Sequence, residues 1–167
     1  MALHPGTVSE DASPLAPLEY LVGKWHVTYR TGDPGTATGG EEAWSSEAGG
    51  AVLARRAWCE FPETPKRPAF RHEDLLVVYA DAEARLQGVF WDNEGHVHFY
   101  RHVQVADAGD GVRMVTDPAM PGPRQALEYR FAPPDRTSAV FSLLLPGAPD
   151  FKAYLQWECR RTEPDRT

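Results

Sequence analysis

The sequence predicts an all-β protein: a single antiparallel up-and-down β-barrel of about ten strands with a short N-terminal helical plug. Three observations predict it. First, Gly23, Trp25, Val27 and Tyr29 alternate with Lys24, His26, Thr28 and Arg30, the period-two pattern of a half-buried strand. Second, similar short runs recur between Gly, Pro, Asp and Asn through the rest of the chain, whereas no amphipathic run of a dozen residues has helical period. Third, a meander this long leaves two unpaired edges, and closing it into a barrel removes both.

Residues 1–14 are rich in Pro, Gly, Ser and acidic side chains without period, so they read as a flexible tail ahead of a domain at 15–162. Leu15 to Leu21 supply the helical plug. Strands are expected at 24–30, 40–46 and 51–61. The loop 62–70 follows, where Pro62, Pro65 and Pro68 fix φ and remove three donors, so it suits a mobile rim or lid rather than a central strand. Further strands are expected at 72–80, 84–92 and 96–105. Between the last two, Asp92-Asn93-Glu94-Gly95 resembles a type I turn closed by a left-handed glycine, a register that pairs Phe90 with His98 and Gly88 with Tyr100. The runs 111–117, 125–132 and 138–145 complete the meander before 152–161. Ending on a strand argues against a sheet wrapped around a long carboxy-terminal helix.

A chain of 167 residues fits one domain and buries roughly two-thirds of its unfolded surface. Its formal net charge of −7 argues against nucleic acid and anionic membrane as partners, since no Lys/Arg stripe is present to displace counterions from phosphates. No apolar run approaches the ~20 residues of a membrane span, and the amino end lacks the basic-then-apolar order of a secretory signal, so a cytoplasmic location without membrane insertion is expected. Cys59 and Cys159 are too few for a disulfide framework and read as small core residues.

Gly23-Lys24-Trp25 opening the first strand and Arg160-Arg161 closing the last resemble the structural signature of the calycin superfamily, the lipocalins and fatty-acid-binding proteins. A looser likeness to bacterial lipocalin-like domains of unknown function runs through Glu47-Ala48-Gly49-Gly50-Ala51, Phe90-Trp91-Asp92-Asn93-Glu94-Gly95 and Phe151-Lys152-Ala153-Tyr154-Leu155-Gln156-Trp157. The resemblance implies that Trp25 is covered at the closed end by a basic side chain of the last strand, for which Arg161 is the better match, and that the barrel cavity binds a small molecule. It identifies no catalytic residue.

Several groupings bear on what such a barrel would hold. Arg55 and Arg56 are adjacent on one strand, so one must face inward; Arg55 shares its face with Leu53, Ala57, Cys59 and Phe61, the more apolar set. An inward guanidinium needs a carboxylate, ordered water or an anionic ligand, here either a ligand carboxylate or an internal partner among Glu41, Glu42 and Glu158. His96, His98, Tyr100 and His102 share one face of the 96–105 strand and form either a polar cavity wall or a solvated face. His96 and His98 are ~6.6 Å apart along the strand and could chelate an ion with Asp92, His72 or another third ligand, whereas His102 lies ~13 Å from His98 unless the strand bulges. The run Glu94-Gly95-His96-Val97-His98 is also similar to the first metal motif of cupins. Of the five tryptophans, Trp44 and Trp91 are candidates to stack on a ligand at the cavity mouth.

Together these predict a binding protein for a small lipophilic molecule that carries, in one version, a carboxylate. The ligand-binding candidates are Arg55, Arg56, His98, Tyr100, His102, Trp44 and Trp91, with no cofactor, no resident metal, no catalytic residue, and a second copy of the chain as the one protein partner considered. The alternatives are a metal-dependent cupin-like enzyme using His96 and His98, and a structural or oligomerisation barrel with a filled interior.

Overall fold

A computed structural model describes residues 13–30 and 36–162; all but the last two residues of the expected tail lie outside them. A 3-10 turn at Ala16–Leu21 precedes ten strands: β1 (Gly23–Tyr29), β2 (Gly39–Glu47), β3 (Val52–Phe61), β4 (Phe70–Ala80), β5 (Leu86–Asp92), β6 (Val97–Val105), β7 (Gly111–Thr116), β8 (Arg124–Ala132), β9 (Arg136–Leu144) and β10 (Lys152–Arg161). Every pairing is antiparallel, each strand is bonded to the next in sequence, and β10 returns to β1, so the sheet closes on itself. No helix among the described residues is long and apolar enough to cross a membrane.

The alternation read in β1 sets the inside of the barrel: Trp25 and Val27 are buried while His26 and Thr28 are exposed. The 3-10 turn caps this end. Trp25 donates its indole N–H to the Leu21 carbonyl at 2.7 Å, and the Arg161 guanidinium lies 4.2 Å above the Trp25 ring while donating to the carbonyls of Tyr20 and Val22. That is the cover expected from the last strand. Gly23 belongs to the arrangement, because its φ of +133° strains any side chain there and a Cβ would come within 2.5 Å of Arg161 Nη1 and displace the guanidinium. Behind this seal Leu18, Leu21, Leu53, Val78, Met114 and Tyr100 fill the interior, and buried apolar volume of this kind is the main favourable term in folding.

The β5–β6 hairpin forms in the expected register, with Phe90 opposite His98 and Gly88 opposite Tyr100. Gly95 takes a φ of +90°, and Asp92 Oδ1 accepts the backbone N–H groups of Glu94 and His96, so the turn stores its Asp as a local acceptor. Beyond Tyr100 the register shifts by one residue: Tyr100 pairs with Thr116 but His102 pairs with Val115. The bulge turns His102 outward into solvent and puts Val103 against the core, so the expected single face from 96 to 102 ends at Tyr100. The proline-containing loop after β3 closes on itself through a bridge in which Thr64 and Arg67 exchange backbone hydrogen bonds.

Candidate functional site

The half of the barrel away from the seal is hollow. A cavity of about 560 Å³ opens there, and its side walls are apolar: Tyr29, Phe90, Leu127, Phe141, Leu155 and Trp157 among others. At the rim Phe61 and Phe70, paired across β3 and β4, stack with centroids 4.8 Å apart. The Arg67 guanidinium of the intervening loop sits 4.3 Å from the Phe70 centroid and 5.0 Å from that of Phe61.

The floor is a charged network. Arg55 points inward and is 4% exposed. It donates to Asp74 at 2.5 Å and to the Tyr129 hydroxyl at 2.6 Å, with Glu42 at 3.6 Å. Tyr129 in turn donates to Glu42, whose carboxylate also accepts the indole N–H groups of Trp44 and Trp157 at 3.2 and 2.9 Å. Burial opposes the Arg55 charge, but Asp74, Tyr129 and Glu42 outweigh it and hold its pKa well above the ordinary value. Burial pushes the Tyr129 and Tyr100 phenols up, so both stay protonated, Tyr129 as the donor to Glu42.

The wall above Asp74 carries the histidines. His72 Nδ1 pairs with Glu94 at 2.8 Å, and its Nε2 lies 3.6 Å from Asp74. Burial lowers the His72 pKa, but its hydrogen bonds to the Asp74 and Glu94 carboxylates win and raise it above 6.5. His96 Nδ1 pairs with Asp92 at 2.8 Å. His98 is stacked between Phe90 and His96 and accepts from the Gln125 amide at 2.9 Å. Burial, then the neighbouring His96, lower its pKa, keeping the ring neutral.

Of the residues expected at the ligand, Arg55, His98 and Tyr100 line the cavity. The other four stand elsewhere. Arg56 projects outward from β3 and is exposed, because strand neighbours face opposite ways. His102 is outside for the bulge described above. Trp44 is buried beside Glu42, its ring edge-on to Tyr129 at 5.7 Å, and Trp91 lies on the outer surface, 40% exposed. Trp157 is the tryptophan in contact with both the network and the cavity.

For a metal, the His96 and His98 rings are poorly arranged, since they stack nearly parallel, 16° apart, instead of converging. His72, Asp92 and Glu94 bring one ligand atom each within 4.8 Å of one another, a grouping in which both of the third-ligand residues considered from sequence appear without the His96–His98 pair. Sequence reasoning missed Asp74, Tyr129 and Gln125. The signal for Asp74 was present in β4, where the inward positions run Phe70, His72, Asp74, Leu76, Val78 and so place a carboxylate between a rim and a core.

A scan of the chain against known protein families matches none, and no characterised protein matches it in sequence.

Proposed function

We propose that this is a calycin-like barrel that binds a small, largely apolar molecule in its open half, as a cytoplasmic protein whose two buried free thiols suit a reducing compartment. One observation carries the reading: a barrel packed solid behind Trp25 is left hollow in front of Tyr100, and the hollow is walled by aromatic and aliphatic side chains. Its volume of about 560 Å³ lies within the ~300–1,000 Å³ typical of small-molecule sites. A few fixed polar groups at the floor and on the β4–β6 wall would orient the ligand, as such sites generally do.

The test is titration with the neutral dye N-phenyl-1-naphthylamine. Saturable, stoichiometric fluorescence enhancement is expected, and it should disappear in Leu143→Trp, which fills the hollow from the β9 wall. A folded wild-type protein that shows no saturable enhancement overturns the proposal in favour of a filled structural barrel.

A further inference from the structure

We infer that the cavity selects lipophilic organic cations, such as protonated amines or quaternary ammonium and phosphonium groups, over lipophilic anions. The inference rests on the cavity reading above. Its basis is one cross-strand row on the inner face: Trp25 opposite Glu42, Glu42 opposite Ala57, Ala57 opposite Asp74, and Asp74 opposite Asp92. Three carboxylates thus share a row, two of them directly opposed on neighbouring strands, where like charges are destabilising. Glu94 extends the row at the rim.

Among the described residues lining the cavity, the four carboxylates Glu42, Asp74, Asp92 and Glu94 face two guanidiniums, Arg55 and Arg67, and two imidazoles, His72 against Asp74 and Glu94 and His96 against Asp92. Arg55 is enclosed by its own partners at the floor, so a ligand carboxylate approaching it meets Asp74 and Glu42 first. The carboxylates outnumber the permanently charged guanidiniums, so an anionic head group is disfavoured and a cationic one favoured.

The aromatic walls favour the same ligand. Ring faces attract cations within about 6 Å, and more strongly where water is excluded. The barrel already uses this attraction at its rim, where Phe61 and Phe70 hold the Arg67 guanidinium. Deeper in, Tyr29, Phe90 and Trp157 offer further rings near the carboxylate row, while Leu127, Leu143 and Leu155 on the opposite wall take the apolar body. The bound cation is therefore placed against the β4–β5 side, between the rings and Asp74, Asp92 and Glu94.

Tetraphenylphosphonium and tetraphenylborate have the same shape and opposite charge, and calorimetry on the full chain separates them. The phosphonium is expected to bind at least about tenfold more tightly than the borate and to displace N-phenyl-1-naphthylamine. Glu94→Gln, a change at a half-exposed rim position, should reduce the phosphonium-to-borate ratio about fivefold. Equal affinities, or a borate preference, overturn the inference, and so does a ratio unchanged by Glu94→Gln. If the neutral dye binds while the ions are not discriminated, charge selectivity alone fails; if the neutral dye does not bind, the cavity reading itself fails.

Discussion

Replacing Arg55 by Met removes the cation from the barrel floor without opening a large hole. In the wild-type protein Arg55 is 4% exposed and pairs with an Asp74 side chain that is 9% exposed. Removing one partner from a buried ion pair costs about 3–5 kcal/mol, because the remaining charge stays desolvated and uncompensated. Among the described residues, Asp74 then keeps His72 as its one basic neighbour, at 3.6 Å. Glu42 is better protected, since Tyr129, Trp44 and Trp157 still donate to it. We therefore expect Arg55→Met to cost about 3–4 kcal/mol, a large part of the ~5–15 kcal/mol available to a domain. The double variant Arg55→Met/Asp74→Asn should recover about half of that loss, a coupling of at least ~1 kcal/mol between the two positions. Arg56→Met, on the exposed face, should stay within about 0.5 kcal/mol of wild type. Urea unfolding followed by tryptophan fluorescence measures all three, with a constant m-value confirming that the midpoints report stability. An Arg55→Met cost below about 1 kcal/mol, or additive single and double variants, would refute the claim that Arg55 neutralises the floor.

Arg161→Ala removes two hydrogen bonds to carbonyls and the cover over Trp25, and Gly23→Ala drives a Cβ into the same guanidinium; each should lower stability by about 1–3 kcal/mol in thermal unfolding. His72 has a folded-state pKa above 6.5, so the folded protein holds that proton more tightly than the unfolded chain does. Its contribution is fully present below about pH 6.5 and is lost as pH rises through the higher folded value, so the stability difference between wild type and His72→Gln should shrink over that interval in pH-dependent urea titrations. Cys59 is buried with its thiol pushed up to about 11, and burial raises Cys159 further, so neither should react with a thiol-specific disulfide reagent at pH 8 until denaturant is added.

Much of the barrel is legible from local pattern. The alternation around Trp25 assigns inside and outside, and Asp92 to Gly95 is a turn whose length admits one hairpin register, so Phe90 and His98 can be paired from sequence alone. The choice between Arg55 and Arg56 also follows from the apolar company Arg55 keeps on its face. The bulge after Tyr100 does not follow, because Arg101 and His102 carry no Gly or Pro signal and the shift is set by pairing with β7. Arg55 meets Asp74 only through the β3–β4 ladder, across a loop whose closure at Thr64 and Arg67 has no strong motif. Tyr129 reaches Glu42 from the other side of the barrel, a contact fixed by closure and by no local feature.

Of the ten ladders, nine join strands consecutive in the chain and one joins β1 to β10. The nine can form as hairpins soon after each strand exists, whereas the tenth must bring Trp25 to Arg161 across nearly the whole sequence. Assembly thus resembles rolling a ribbon and fastening it at a single seam. Until β10 arrives, β1 has a bare edge and the hollow has no complete wall, so the cavity is enclosed only when the seam forms. Weakening the seam would breach the cavity wall and expose two adhesive edges together, coupling loss of the enclosed hollow to self-association.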